Sequence, residues 1–184
     1  MNPIQTLMDE HRLIERMIDA LSGYAASVKT GDDLPREDLV GFVRFIREFA
    51  DAHHHGKEED ILFRHMGEQG MPTEMGPLAV MLQEHTEGRG YTQALAAIAE
   101  GDGAYSDEDR TQLAWAAGAY AGLLRAHIQK EDQVLYPMAD SMFAPPVWAV
   151  IEREFEAFES EASNAERARA LRAEAETLVS RYTG

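Results

Sequence analysis

The sequence carries one arrangement of histidine and glutamate twice, and this repeat limits what the chain can fold into. Each copy has a single histidine and, about forty positions later, a His-x-x-x-Glu segment. In order along the chain, the six residues are His11, His54, Glu58, His85, His127 and Glu131. Residues four apart on an α-helix lie on one face, so each His-x-x-x-Glu segment would present an imidazole and a carboxylate together. The repeat therefore predicts four helices that bring four imidazoles and two carboxylates to one level of a core.

Helical signals extend over most of the chain. Alanine, leucine, glutamate, arginine and methionine are plentiful, and strand signals are almost absent. We predict four helices, over about 3–29, 35–66, 77–100 and 106–136. Ser106 and Asp109 form a capping-box pattern at the start of the fourth helix, and Pro137 is expected to end it. The short connections favour an all-α, up-down-up-down four-helix bundle.

The C-terminal part of the chain is predicted to add to this bundle. We assign residues 1–140 to the bundle and residues 141–184 to a C-terminal extension. After Val147, apolar residues such as Phe155 and Leu171 recur among many charges, which indicates one or two amphipathic helices packed on the outside of the bundle.

The composition excludes several classes of function. The chain has no cysteine, so disulfides, zinc ribbons, iron–sulfur clusters and thiol catalysis are excluded. A formal net charge of −16 argues against nucleic acid and against an anionic membrane surface, because phosphate groups would be repelled. The N-terminus lacks the pattern of a signal peptide, and no apolar stretch approaches the roughly 20 residues of a membrane span. We therefore expect a soluble, cytoplasmic protein.

The two glutamates of the repeat point to a metal. They share their helix faces with large apolar residues such as Phe49 and Leu62, so they are expected to be buried. A buried, unpaired carboxylate costs several kcal/mol, and we expect no lysine or arginine to face inward and remove that cost. Imidazole and carboxylate ligands without thiolate suit iron or manganese at a dinuclear centre better than structural zinc. If Glu58 and Glu131 bridge two metals that each take two imidazoles, positions remain open for a small ligand.

The same residues resemble the hemerythrin-like (HHE cation-binding) family. The similarity covers roughly residues 4–140, and the segments 57–63 and 130–131 are close to the family's hallmark. The resemblance implies a four-helix bundle around a non-haem di-iron centre. In related proteins such centres bind O₂ reversibly, sense O₂, NO or iron, or repair damaged iron–sulfur centres.

Two positions depart from the oxygen-carrying members of that family. The residue four after His85 is Arg89, where those proteins have a second histidine. Asp132 lies at the His-x-x-x-x-Asp spacing that they use on the fourth helix, but Glu131 repeats the spacing of the first copy, so we prefer Glu131. The resulting four histidines and two glutamates resemble the branch that repairs iron centres, although this sequence has no cysteine of the kind seen there.

The histidines beside the repeat have more than one interpretation. His53 and His55 flank His54 and are interpreted as rim residues, because a helix turns them about 100° to either side. The pair His55 and Glu59 is a register-shifted alternative set of ligands. His65 is interpreted either as a contact to a ligand or as a surface residue near a helix end.

Four other polar residues also keep two interpretations. Glu10 and Glu84 either hydrogen-bond a neighbouring ligating imidazole or are solvated. Tyr120 either lines an access channel or packs in the core. Arg89 either covers the site and attracts an anionic ligand or forms a surface salt bridge, which we slightly prefer.

We therefore expect a non-haem protein with two iron ions, for which manganese or zinc could substitute. Its partner would be O₂, NO or peroxide, and its role sensing, detoxification or iron handling. The alternatives are a di-iron oxidase, peroxidase or NO reductase with turnover, in which Tyr120 or Tyr24 is redox-active; an iron-centre-repair protein; and a structural bundle stabilised by metal. A protein partner would dock on the segment after Val147.

Overall fold

The computed structural model describes residues 2–183 and shows six helices, with no strand among these residues. The helices are α1 (Pro3–Thr30), α2 (36–68), α3 (Gly76–Ala99), α4 (107–142), α5 (Pro145–Ser160) and α6 (Ala162–Tyr182). Helix α4 packs against α1 and α3, α2 packs against α3, and α6 lies against both α1 and α2. The predicted all-α bundle with additional C-terminal helices is confirmed.

Local sequence signals set the helix ends. The Asn2 side chain accepts a hydrogen bond from the Gln5 backbone N–H (3.0 Å) at the start of α1. Gly31 ends α1 with a φ of 110°, in the left-handed region that favours glycine. The predicted capping box of α4 is confirmed, because Ser106 and Asp109 each accept a hydrogen bond from the other's backbone N–H.

Helices α2 and α4 are π-helical where they pass the two His-x-x-x-Glu segments. Helix α2 is π-helical over Ile46–His55 and Glu58–Phe63, and α4 over Glu131–Leu135. Such turns are wider than α turns and occur frequently at functional sites. Residues near them face directions that the α-helical period does not predict.

Helix α4 continues to Met142, so the prediction that Pro137 ends it is wrong. Inside an α-helix, proline removes a hydrogen bond and its ring meets the carbonyl four residues earlier. Pro137 is instead the second residue of the α-helical segment that follows the π turn. In this first turn a backbone N–H has no regular partner, so proline is tolerated.

Two apolar clusters lie on either side of a polar layer in the bundle. Tyr24, Phe42 and Leu124 belong to the larger cluster, and Leu62 and Leu135 to the smaller one. On α1 to α3, the residues of the histidine–glutamate repeat fall between the segments that supply the two clusters, and on α4 His127 and Glu131 lie where the segment of the larger cluster ends. The fold therefore places the repeat at the junction of two apolar regions.

Both C-terminal helices pack on the bundle and enter its core. Helix α6 contributes Leu171 and Leu178 to the larger cluster, and α5 contributes Ile151 and Phe155 to the smaller one. Burying an apolar side chain of this size stabilises the fold by about 2 kcal/mol. No helix within residues 2–183 is both long and apolar enough to cross a membrane.

Candidate metal centre

The six residues of the repeat meet in the polar layer. At most 2% of any of them is exposed to solvent. The Glu131 carboxylate lies 3.3 Å from His11 Nε2 and 3.2 Å from His127 Nε2. His85 Nε2 lies 3.1 Å from His127 Nε2. Side chains from α1, α3 and α4 thus converge on one point, and α2 supplies the rest.

Three of the four carboxylate oxygens of Glu58 and Glu131 lack a hydrogen-bond donor. Glu58 Oε2 lies 3.6 Å from His85 Nε2 and 3.7 Å from His54 Nε2. Among the described residues, neither this oxygen nor either oxygen of Glu131 has a hydrogen-bond partner, although all three are buried. The imidazoles near Glu131 approach it without hydrogen-bond geometry. Leaving buried carboxylates in this state costs several kcal/mol, and cations at the centre would remove that cost.

Two overlapping sets of four ligand atoms occupy the centre. Within each set the atoms lie within 4.8 Å of one another. The sets are His11, His54, Glu58 and Glu131, and His55, Glu58, His85 and His127. Because Glu58 belongs to both sets, its carboxylate is placed to serve two metal ions. The donor set fits a dinuclear centre.

His55 is the residue of this centre that the sequence interpretation placed at the rim. Its ring stacks on His85 with the centroids 3.8 Å apart, and the residue is 7% exposed. The alternative pairing of His55 with Glu59 is not formed, since Glu59 accepts a hydrogen bond from His85 Nδ1 (2.7 Å). The π-helical segment that ends at His55 explains how His54 and His55 both face inward.

Each of the five central imidazoles is held by a carboxylate on its outer nitrogen. The Nδ1 contacts are His11 to Asp132 (2.7 Å), His54 to Glu10 (2.9 Å), His55 to Asp51 (3.3 Å), His85 to Glu59 (2.7 Å) and His127 to Glu84 (2.9 Å). A carboxylate that accepts the Nδ1 proton fixes the orientation of the ring and leaves Nε2 available to a metal. Glu10 and Glu84 therefore contact imidazoles, and Asp132 lies outside the centre whereas Glu131 lies inside it.

Lys57 corrects the expectation that no lysine faces inward. Its side chain is fully buried, and its ammonium group donates to Glu10 (2.5 Å) and to Glu159 of α5. With His53, these two carboxylates form a third cluster of potential ligand atoms, but the ammonium group of Lys57 lies among them. The positive charge of Lys57 therefore compensates the negative charge of Glu10 and not the charges of Glu58 and Glu131. The sequence did not show this, because α5 supplies part of the surroundings.

Tyr136 is a second residue of the centre that the sequence interpretation missed. Its hydroxyl donates to Glu58 Oε1 (2.6 Å) and lies 3.3 Å from His11 Nε2. Tyr24, which was expected near the site, instead bonds the Tyr105 hydroxyl (2.5 Å). It is thirteen residues beyond His11 on α1, or about 20 Å along the helix, so it does not serve the centre.

Burial and charge set the protonation of the metal-free centre. Burial and the charge of Glu131 raise the pKa of Glu58 well above its usual range. Burial also acts to raise the pKa of Glu131, but His127 and His11 hold it well below its usual range. Burial lowers the pKa of His11, yet the hydrogen bond to Asp132 and the nearby charge of Glu131 outweigh this and raise it to about 9. Metal ions would therefore have to displace protons.

We expect metal affinity to rise with pH up to about 9. A metal binds the unprotonated imidazole, whereas the pKa of His11 in the metal-free protein is raised to about 9. Each proton displaced makes the affinity fall about tenfold for every pH unit below that pKa. Competition with a chelator at several pH values measures the slope, and an affinity independent of pH between 6 and 9 would contradict the assignment of protonated His11.

A cavity of about 260 Å³ reaches one side of the centre. His55, His85 and His127 line its inner end. Tyr120 lines its wall and also belongs to the larger apolar cluster, so both interpretations of this residue describe part of its position. Arg89 also lines the cavity. It forms ion pairs with Asp51 (2.7 Å) and Glu59 (2.8 Å), the carboxylates that hold His55 and His85. His65 lies elsewhere and bonds Glu154 of α5.

These features define a helical bundle with an internal histidine–glutamate centre that could hold metal cations. Residues 2–139 match the hemerythrin HHE cation-binding domain, and the protein belongs to this family. It is 26% identical over 133 residues to an uncharacterized protein of Mycobacterium tuberculosis (strain H37Rv), and equally similar to one of Mycobacterium bovis. The alignment covers 72% of this chain and 51% of each relative, so the chain spans about half the length of the curated relatives it matches.

Proposed function

We propose that this protein holds two iron ions at the buried centre and that the loaded centre binds or reacts with O₂, NO or peroxide. The main support is the set of three unpartnered carboxylate oxygens among five buried histidines. Nitrogen and oxygen donors without thiolate suit iron or manganese. Sensing, detoxification and iron handling are the roles that such a centre would serve.

Two groups of histidines would hold the metal ions, with the glutamates between them. The residues proposed from the repeat are His11, His54, Glu58, His85, His127 and Glu131, to which the structure adds His55. The five carboxylates that contact the Nδ1 atoms, here called the outer carboxylates, would keep the imidazoles in place before metal binds, so little rearrangement is needed.

The chain itself controls water and protons at the centre. Burial excludes bulk water, and the cavity opens only beside His55, His85 and His127 among the central residues. Burial and the charge of Glu58 raise the pKa of Tyr136 well above its usual range, so its hydroxyl keeps its proton at neutral pH. Iron would supply electrons to a bound small ligand. Tyr136 would hold the proton on its hydroxyl beside Glu58 Oε1.

An oxidase, peroxidase or NO reductase with turnover is the second candidate. Tyr136 favours it, because a buried phenol that hydrogen-bonds a central carboxylate can hold a proton in a fixed position beside the centre. Tyr120 is less favoured for this role, because it lines the wall of the cavity and, unlike Tyr136, does not bond a central carboxylate.

Metal content and visible spectra of protein purified without oxygen test the proposal. We expect about two irons per chain, with charge-transfer bands that appear after exposure to O₂ and different bands after exposure to NO. A stable O₂ adduct would support binding, whereas rapid conversion to an oxidised form would support a sensor or an enzyme. Well-folded protein that takes up no iron would contradict the proposal.

The replacement His55→Gln is expected to weaken metal binding on the side of the centre that faces the cavity. Only one of the two sets of ligand atoms contains His55, so we expect metal content to fall from about two toward one per chain. His53→Gln is the matched control, because its imidazole bonds Glu10 and Glu159 rather than the central glutamates. Metal analysis after dialysis measures both variants. Equal metal content in His55→Gln and the wild type would show that His55 is no ligand.

A further inference from the structure

The cavity beside the centre is larger than a diatomic ligand needs. One water molecule requires about 10–15 Å³ of such space, whereas this cavity offers about 260 Å³. That volume is close to the lower end of pockets that hold small organic ligands. Its inner end lies at His55, His85 and His127, so an organic molecule in it would end beside the proposed metal ions.

The side walls of the cavity are apolar. They are formed by Ile46, Leu123 and Leu124, with the backbone of Gly88 facing them. A Cβ atom built on Gly88 would lie 3.7 Å from the Tyr120 ring and 3.8 Å from Leu123 Cδ2. The missing side chain at Gly88 therefore keeps this part of the cavity open. Such walls suit a hydrocarbon chain or ring.

Tyr120 and Arg47 supply unpartnered polar groups in the lining of the cavity. Tyr120 is only 3% exposed, yet its hydroxyl has no hydrogen-bond partner among the described residues. Burial and the charge of Asp51 raise the pKa of Tyr120, so the hydroxyl remains a neutral donor. Arg47 lines the same cavity, is exposed and has no ion-pair partner within residues 2–183. Both groups offer protons to an acceptor.

The other charged residues of the cavity compensate one another. Asp51 pairs with Arg89 (2.7 Å), and Glu84 pairs with Lys130. Glu84 and Asp51 also hold imidazoles. The guanidinium group of Arg47 is therefore the uncompensated charge of the lining, and it is positive although the whole chain carries a formal charge of −16.

We propose that this cavity binds a small monocarboxylic acid with an apolar body. Its carboxylate bonds Arg47 and the Tyr120 hydroxyl, and its body lies against Ile46, Leu123 and Leu124. Tyr120 precedes His127 by seven residues, or about 10 Å along α4, so a medium-length chain reaches from the carboxylate site toward the histidines. The role of this acid as a ligand beside a metal rests on the proposed function, whereas its binding needs only the cavity.

Octanoate is the probe for this site, with binding measured by isothermal titration calorimetry on the full chain. We expect one saturable site, and octanamide should bind about tenfold more weakly or worse because it has no charge to pair with Arg47. Arg47→Gln should weaken octanoate binding about tenfold or more, and Tyr120→Phe should weaken it severalfold. Arg44→Gln is the matched control, because Arg44 lies on the same helix but pairs with Glu174 of α6. Its affinity should equal that of the wild type.

A second pair of variants tests the location without changing charge. Gly88→Leu should fill the cavity and abolish octanoate binding, whereas Gly90→Leu should not, because a Cβ atom on Gly90 meets no atom within 4 Å. Thermal unfolding of both variants checks that they are folded. Absence of saturable octanoate binding to the wild type, or binding unchanged by Arg47→Gln and Gly88→Leu, would overturn the inference.

The metal-site variant Glu131→Gln separates this inference from the proposed function. It should lose iron but keep octanoate binding, because Glu131 does not line the cavity. Octanoate binding to wild-type protein that takes up no iron would leave the cavity assignment intact and contradict the di-iron proposal. Normal iron content without octanoate binding would contradict the cavity assignment and leave the di-iron proposal intact.

Discussion

Replacing Glu131 with glutamine is expected to lower metal affinity by more than about 100-fold. Changing a residue that only contacts a metal ligand typically costs 10–100-fold, and Glu131 is proposed to contact the metals directly. The amide has nearly the same volume as the carboxylate and removes a charge whose two oxygens lack partners, so the variant should fold. Iron content and competition with a chelator measure the loss.

Two further variants are compared with Glu131→Gln, one as a control and one to identify the ligand on α4. Glu108→Gln changes an exposed glutamate on the same helix and should leave iron binding unchanged. Asp132→Asn alters the contact to His11 Nδ1 and should weaken metal binding by about 10–100-fold. If Asp132→Asn lost more metal than Glu131→Gln, aspartate rather than glutamate would be the ligand on α4, contrary to the geometry.

Removing metal from the wild-type protein is expected to lower its melting temperature by about 8–16 °C. A ligand present at a thousandfold excess over its Kd stabilises the folded state by about 4 kcal/mol, and 1 kcal/mol shifts the Tm of a chain of this size by about 2–4 °C. The cause is the loss of the cations that compensate Glu58 and Glu131. Thermal unfolding with and without a chelator measures the shift.

The Glu131→Gln variant is the control for this experiment. Because it is expected to hold little metal, a chelator should hardly change its Tm. An unchanged Tm of the wild type after complete metal removal would contradict the argument from buried carboxylates. A large shift without any reaction toward O₂, NO or peroxide would favour the structural bundle over the proposed function.

The outer carboxylates are expected to affect the stability of the protein in acid. Hydrogen bonding to His85, together with Arg89 and despite partial burial, lowers the pKa of Glu59 to about 2. A carboxylate whose pKa is lower in the folded than in the unfolded state stabilises the fold above its unfolded pKa. That contribution is lost as the pH falls toward 2. Acid therefore acts on the metal ligands and on the residues that orient them.

Sequence periodicity and spacing determined the main features of this protein. Amphipathic patterns and a capping box at Ser106 were sufficient to predict the helices, because these signals are local. The repeat of His and His-x-x-x-Glu placed six polar residues on apolar helix faces, and the fold brings all six together. Burial forces such residues to meet a partner, which is why the sequence alone indicated a metal.

Only the tertiary structure decided the rest of the centre. The π turns of α2 and α4 place His55 inward and let α4 pass Pro137, and an apolar pattern does not reveal them. The contact of Tyr136 with Glu58 joins residues 78 positions apart. The burial of Lys57 depends on Glu159 from α5, a helix whose position the bundle pattern does not determine. Such contacts between distant segments depend on helix packing, since spacing along one helix specifies its faces but not what covers them.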